Sequence, residues 1–274
     1  MESQAHDVAI IGGGAAGLSA ALVLGRARRR VVVIDAGTPR NGPALHMQGF
    51  LSRDGMPPSE LLRIGRAEIE HYGVELHEDR VVEATAGFVL GLAGGGTVQA
   101  RHVLIATGAA DELPDIPGVR ERWGRDLLHC PYCHGWEVRD APLGVLAVGP
   151  GAAEYAQLLR QWSDDVILFA DGHPIAEDER ATLAARGIAI VDDKVERLVV
   201  TDERVRATRR DVDGRVEHLV VDDDRLRAVA LADGRTIPRT AVFVRPPLHA
   251  HPGGPGAALG CATDAGGLLQ TDPD

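Results

Sequence analysis

DVAIIGGGAAG, residues 7 to 17, is the stretch on which the fold turns. A short apolar run meets three consecutive glycines, and AAGLSAALVLGRA then continues with the length and composition of a buried helix. VVVIDAG follows as a second strand. Strand, glycine-rich turn, helix and strand predict a β-α-β unit. Gly12, Gly14 and Gly17 fit G-x-G-x-x-G, flanked by Ala15 and Ala16, and Asp35 stands at the tip of the second strand. Gly12 permits the tight turn, Gly14 lets backbone approach a pyrophosphate, and Gly17 lets helix and strand pack closely. Asp35 can accept from a ribose hydroxyl, and the helix N-terminus offers unpaired N–H groups to phosphate. The unit therefore predicts a bound dinucleotide.

Bulk properties fit that reading. A chain of 274 residues can bury one large core or two medium ones, and 45% hydrophobic with 25% charged residues is ordinary for a globular protein. A formal net charge of -11 argues against nucleic acid as the main partner, which needs a basic face. The one basic run, RARRR at residues 26 to 30, ends the predicted helix, where cations are favourable, and is read as a solvated helix end. No signal-peptide pattern opens the chain and no apolar run is long enough to span a bilayer, so a cytoplasmic protein is expected, with no membrane partner. There a close cysteine pair points to catalysis or metal binding more than to a structural disulfide.

A second copy of the pattern lies at mid-chain: LGVLAVGPGAAEYAQLLRQW, then DDVILFADG. Gly149 and Gly151 match, but Glu154 takes the third small position, where it is expected to disturb helix packing and face a phosphate unfavourably. Alignment with VVVID puts Ala170 at the ribose position and Asp171 one residue beyond, with no arginine cluster for a 2′-phosphate. A nucleotide-binding fold retained with weak NAD(P)H binding is expected.

Between the copies, PPSELLRIGRAEIEHYG predicts a helix capped by Ser59 and ended by Gly73. Short strands follow around VVEAT, FVLGLAGGG and TVQARHVLIATG, the last ending in Ala106-Thr107-Gly108, small residues suited to close approach of a cofactor. ELPDIPG, residues 112 to 118, is read as the crossover into a second domain. That domain continues through RLVVTDERVRATRRDVDGRVEHLVVDD and AVALADGRTI, read as paired strands with Asp-Gly turns, and RTAVFVRPP carries the chain back. The predicted architecture is α/β. It has two Rossmann-like, three-layer (ββα/βαβ) nucleotide-binding domains, the second inserted in the first, with boundaries 1–116, 117–240 and 241–274.

HCPYCHGWE, residues 129 to 137, holds Cys130 and Cys133 in Cys-x-x-Cys spacing between His129 and His134. Taken alone it fits half a zinc site, a haem attachment sequence, a glutaredoxin-type pair or a redox pair facing a cofactor. Zinc needs four ligands, and the only other cysteine, Cys261, is far along the chain in a Gly-rich segment, where it reads as incidental. Haem attachment expects an exported small domain, and the glutaredoxin motif opens the first helix of one, whereas this motif sits between two nucleotide-binding units.

The GGGAAG unit, the ATG strand end, the Cys-x-x-Cys ahead of a second Gly-rich unit and the return strand together resemble the low-molecular-weight thioredoxin reductases. Within that group the chain is most similar to the dithiol oxidase branch, the gliotoxin- and holomycin-type enzymes. The residues that carry this are CPYCHGWE, HMQGFLSRDG and RQWSDD without a following arginine pair; His134 and LFADG stand where reductases place an acid and an HRR-type sequence. The resemblance implies a homodimeric FAD flavoprotein whose inserted pyridine-nucleotide domain carries the redox pair. It implies cofactor contacts at Gly12, Gly14, Ala15, Ala16, Gly17, Asp35, Arg40, Asn41, His46, Ala106, Thr107 and Gly108. Family members end with a Gly-Asp or Gly-Asn segment and a final helix that close the FAD site. This chain stops at QTDPD before any such segment, so the C-terminal part of the FAD domain is expected to be missing.

By the same resemblance Cys133 lies nearer the isoalloxazine and Cys130 is the exchange cysteine. The expected reaction closes a small-molecule dithiol to a disulfide, with His134 moving protons near neutrality and O2 as final acceptor. Two other readings stand beside it: an NAD(P)H-dependent reductase of a thioredoxin-like protein, and a truncated, non-catalytic remnant.

Overall fold

The computed structural model describes residues 6–200, 205–210, 216–221, 225–251 and 253–271. The chain divides into two units, Met1–Glu112 with Leu248–Asp274, and Leu113–Pro247 between them.

The first unit opens with β1 (His6–Ile11), α1 (Ala15–Arg26), β2 (Val31–Asp35), α2 (Pro58–His71) and β3 (Glu75–Glu78). The strands β4 (Val81–Thr85), β5 (Val89–Leu92), β6 (Thr97–Ile105) and β7 (Ala110–Asp111) follow. Sheet order is β3-β2-β1-β6-β5-β4. β1 is parallel to both β2 and β6, while β5 is antiparallel to β4 and β6. β6 is long enough to serve twice: Thr97, Val98 and Gln99 pair with β5, and Ala100 to Ile105 pair with β1. The antiparallel strands therefore cover one face of the parallel ones. Because successive side chains alternate, Ile10, Val31 and Val33 pack with Leu18, Ala21 and Ile69 of the helices, while Ala9, Ile11, Val32 and Ile34 pack with Ala84, Leu90 and Val98. That makes three layers.

The second unit repeats the scheme. After α3 (Val119–Arg122), β8 (Leu127–Leu128) and α4 (Pro131–His134) come β9 (Leu143–Leu146), α5 (Ala152–Leu159), β10 (Val166–Phe169), α6 (Glu177–Ala185) and β11 (Ala189–Val191). Next are β12 (Val195–Val200), β13 (Val205–Arg210), β14 (Val216–Val221), β15 (Leu226–Leu231), β16 (Thr236–Pro238) and β17 (Ala241–Val244). The chain then rejoins the first unit through β18 (Leu248–His249) and α7 (Pro255–Ala258). β11-β10-β9-β17-β8 form a wholly parallel sheet, and β12-β15-β16 an antiparallel one. Leu143, Val145 and Phe243 pack towards Ala153, Ala156 and Leu159 of α5, and Leu146, Phe169, Val242 and Val244 pack towards Leu198, Val229 and Leu231.

Three details differ from the sequence reading. The first crossing falls after Glu112, ahead of residue 116, and the return falls at Leu248 rather than 241. The reason is β17: all four of its residues are buried, and it fills the slot between β9 and β8, so it completes the second sheet and does not carry the chain back. β18 makes the return instead, pairing antiparallel with the outgoing β7. Ser59 does not cap α2, because Pro58 already sits in the helix and Pro57 is its N-cap. Of the two Asp-Gly turns, Asp233-Gly234 joins β15 to β16 with Gly234 at φ 89°, while Asp213-Gly214 lies outside the described residues. No helix among the described residues is long and apolar enough to cross a membrane.

A buried ion pair ties the second unit together. Arg122 is 2% exposed and donates twice to Asp126, at 2.7 and 2.6 Å; Asp126 Oδ2 also accepts from Leu226 N at 2.7 Å, and its carbonyl accepts from Val242 N. Asp126→Ala would remove a doubly bonded carboxylate partner of this buried guanidinium together with the acceptor of Leu226 N, and a loss of roughly 3–5 kcal/mol is expected from the urea unfolding midpoint of that unit.

Candidate functional site

The glycine loop of the first unit assigns each residue its task in steric terms. Gly12 has φ 109°, and a Cβ there would lie 2.3 Å from the Ala106 carbonyl oxygen, so the turn abuts the end of β6. A Cβ on Gly17 would lie 1.9 Å from the Gly12 oxygen; α1 rests directly on the strand end. Gly14 is the N-cap of α1 in extended conformation, and a Cβ there would meet nothing within 4 Å. The turn is thus closed towards the protein at Gly12 and Gly17 and open outward at Gly14. No side chain caps α1 and its first turn holds no acid, so its N–H groups and dipole face that opening uncancelled. Ala106 N donates to Ile11 O, and Gly108 has φ 68°, which places Ala106-Thr107-Gly108 beside the turn.

Asp35 lies over Gly13, where a Cβ would come within 2.7 Å of its Oδ2. That oxygen accepts from Arg66 Nη2 at 2.8 Å, and Arg66 Nε is buried with no partner among the described residues. Arg66 comes from α2, and nothing in the sequence around it marks it as the residue that orients Asp35. A phosphate-approach loop, open helix start and carboxylate at the next strand tip fit a dinucleotide.

In the second unit the register of the sheet shows what the spacing of glycines concealed. Ile11 pairs with Ile34, and Leu146 pairs with Phe169. Gly12 N donates to Ile34 O as Ala147 N donates to Phe169 O, so Ala147 stands where Gly12 stands. α1 starts at Ala15, but α5 starts at Ala152, so this loop is two residues longer and Gly149 does not match Gly12. The offset also overturns the expected clash at Glu154: that side chain is exposed, and Ala153 and Ala156 face the sheet. Glu154 does put a negative charge in the first turn of α5. Ala170 follows Phe169 as Asp35 follows Ile34, in line with the sequence alignment. Asp171, at φ 50°, turns its carboxylate inward: Oδ1 accepts from Val195 N at 2.8 Å and Oδ2 lies 3.8 Å from Lys194 Nζ.

Cys130 and Cys133 form a disulfide, Cα atoms 5.2 Å apart. They lie just beyond β8, at the carboxyl edge of the parallel sheet, where doubly wound folds place their chemistry. Cys130 is the N-cap of α4, with Pro131 at the first helical position; its Sγ accepts from Cys133 N at 3.2 Å, and its carbonyl accepts from Cys133 N and His134 N. The loop is anchored on both sides. Tyr155 of α5 donates its hydroxyl to the His129 carbonyl at 2.5 Å, and His129 Nδ1 lies 3.4 Å from the Val244 carbonyl of β17. Burial pushes the Tyr155 hydroxyl pKa well above its ordinary value, opposed by Arg245, so it stays a donor. His134 is half-buried, and that burial draws its pKa below the ordinary imidazole value, with Glu137 pulling the other way.

The family described as Pyridine nucleotide-disulphide oxidoreductase matches the chain over residues 6–274. The chain belongs to this family. The thioredoxin reductase tcpT of Claviceps purpurea is 39% identical over 152 residues, 53% of this chain and 47% of that protein. The thioredoxin reductase sirT of Leptosphaeria maculans is 34% identical over 202 residues, 67% and 62% of the two chains. The chain spans about half the length of the curated relatives it matches, 44%, 47% and 62% for three of them. Against the solved structure of HlmI it is 50% identical with a TM-score of 0.86, covering 99% of this chain and 81% of that one. The resemblance read from CPYCHGWE and the glycine unit is thereby borne out.

As a pyridine nucleotide-disulphide oxidoreductase, the chain spends the residues around its first glycine unit unevenly. Arg40 does not stand free: it donates twice to Asp111 of β7, at 2.7 and 2.6 Å, which holds the loop after β2 to the outgoing strand. Asn41 is exposed and its carbonyl accepts from Ala44 N. His46, also exposed, has Nδ1 3.0 Å from the Gly55 carbonyl, inside a hairpin closed by Met47 N to Met56 O. Arg66 and Tyr155 are the positioning residues that sequence reasoning missed. Two substitutions separate packing from ligand approach. Gly17→Ala must displace the Gly12 carbonyl, and a loss of at least ~1–3 kcal/mol in chemical denaturation is expected. Gly14→Val adds its side chain to open space, so the unfolding midpoint should hold while bound dinucleotide, read by absorbance, falls by about tenfold or more.

Proposed function

We propose that this chain is an FAD-dependent dithiol oxidase that closes a small-molecule dithiol to its disulfide. The observation that carries the reading is the pairing of a formed Cys130–Cys133 disulfide with a second nucleotide unit whose ribose position is Ala170 and whose nearby acid, Asp171, is committed to Val195. The open loop at Gly14 and the carboxylate of Asp35 fit FAD on the first unit; FAD bound there would supply a two-electron acceptor for the dithiol, which O2 would reoxidise with formation of hydrogen peroxide.

The chain's own residues account for the exchange. A substrate thiolate attacks Cys130 Sγ and the Cys130–Cys133 bond breaks, releasing the Cys133 thiolate. The second substrate thiol then attacks the substrate sulfur of the mixed disulfide, forming the product S–S bond and releasing Cys130. Two substrate thiols become one disulfide, and one protein disulfide becomes two thiols. The Cys133 N–H, which already points at Cys130 Sγ, stabilises the thiolate released in the second step. His134, held neutral by burial, accepts a substrate thiol proton and returns it to the leaving cysteine.

Cys133→Ser should retain flavin absorbance yet consume no oxygen with dithiothreitol in an oxygen electrode. Undiminished turnover by that variant would sink the assignment. Rapid bleaching of the flavin by NADPH in the wild type would favour the second reading, a disulfide reductase, which the names of the fungal relatives support. Because the His134 pKa is lowered, the imidazole stays a base as pH falls through its ordinary value near 6.5 and is lost only below it. The acid limb of kcat/KM for dithiol oxidation should therefore lie below that pH. It should disappear in His134→Gln, along with roughly 10²-fold or more of the rate.

A further inference from the structure

Asp35 and Glu78 are register partners on β2 and β3, so two carboxylates stand side by side at the carboxyl edge of the first sheet. Like charges opposite each other on neighbouring strands are unfavourable. Arg66 of α2 meets both: Nη2 donates to Asp35 Oδ2 at 2.8 Å, and Nη1 donates to Glu78 Oε1 at 3.4 Å. The helix lies close against α1 at the preceding residue, where a Cβ on Gly65 would come within 3.0 Å of Leu18 Cδ1.

The two contacts are unequal. The Glu78 side chain is 77% exposed and gains little from a guanidinium, whereas that of Asp35 is 14% exposed and takes the shorter bond. Holding Asp35 also has a cost, since Arg66 Nε is buried with no partner among the described residues. A side chain serving only to offset surface charge would stay in solvent and keep Nε hydrated. Asp35 Oδ2 lies over Gly13 and is taken by Arg66, while Oδ1 accepts from no donor among the described residues.

We propose that Arg66 sets the ribose specificity of the first unit. By fixing Oδ2 it leaves Oδ1 as the acceptor for an adenosine ribose hydroxyl. One guanidinium shared between two carboxylates leaves the surroundings negative, which opposes a phosphorylated ribose. The proposal rests on a dinucleotide at the Gly12–Gly17 turn, FAD in the reading above, and adds which residue makes that site recognise an unmodified ribose. Arg66 acts through Asp35 and is a positioning residue.

The test titrates the flavin-free full chain with FAD and with its 2′-deoxyadenosine and 3′-deoxyadenosine analogues, read by quenching of flavin fluorescence. The corresponding adenosine diphosphates are titrated by calorimetry. The wild type should bind one of the deoxy analogues about tenfold more weakly than FAD, as expected for a lost hydrogen bond to a charged acceptor. Arg66→Met should weaken FAD and bring it within about twofold of that analogue, and Arg66→Lys, which keeps a charged donor, should restore part of the discrimination. A purely structural arginine would lower all the affinities alike and leave their ratios unchanged. That result, or a wild type that does not distinguish the analogues, overturns the proposal, as does tighter binding of 2′-phosphorylated ADP than of ADP. If the wild type binds no FAD, the cofactor reading fails by itself, and the diphosphates still decide the role of Arg66. Gly14→Val, which obstructs the pyrophosphate approach, should abolish their signal, and a wild type without either signal overturns both readings.

Discussion

Both units depend on one constraint: a short parallel sheet buried on both faces leaves the carboxyl ends of its strands as the place where irregular backbone can meet solvent and ligand. In the first unit that edge carries the glycine turn, with α1 set so close to β1 that only hydrogen fits at Gly17. In the second it carries His129 and the disulfide beyond β8. The same apolar layers that make the sheets stable therefore fix where the chemistry is displayed, and the loops need only the right residues to use it.

Local pattern was legible where the physics is local. Gly12, Gly14 and Gly17 could be assigned from spacing because a turn, an approach and a close contact within a few residues are set by backbone sterics. The β-α-β order, the helix of residues 58 to 71 and the Cys-x-x-Cys turn belong to the same class. Sheet order was not legible to the same degree: β17 reads as any apolar strand, and only its pairing with β9 and β8 assigns it to the second unit. The extra two residues of the loop before α5 were hidden because Gly-x-Gly recurs there in a different register. Arg66 on Asp35, Tyr155 on His129 and Asp126 under Arg122 are contacts whose partners are set by tertiary packing, beyond the reach of periodicity.

Electrostatics separates the two glycine loops more clearly than their sequences do. α1 presents an acid-free first turn to an open space, with Asp35 one strand away and turned towards the loop by Arg66. α5 opens with Glu154, and the carboxylate that could have served a ribose is already a hydrogen-bond acceptor for the start of β12. A carboxylate bound to a backbone N–H and close to a lysine has little to gain from exchanging them for a hydroxyl. The two loops descend from one plan and differ in what their charges are occupied with.

A domain of nucleotide-binding form whose own acid is occupied still has work to do, because its framework holds the redox turn. His129 is fixed from above by Tyr155 on α5 and from the side by Val244 on β17, and Pro131 and the Cys130 cap define the turn that follows. Remove α5 or β17 and the disulfide loses its anchors, whatever happens to nicotinamide. Selection for thiol exchange alone would therefore preserve the strands, the helix and the buried Arg122–Asp126 pair that ties α3 to β15, while leaving the glycine loop free to lengthen and its first turn free to acquire Glu154. That division, an intact scaffold around an altered ribose position, is what the proposed oxidation requires of the second unit.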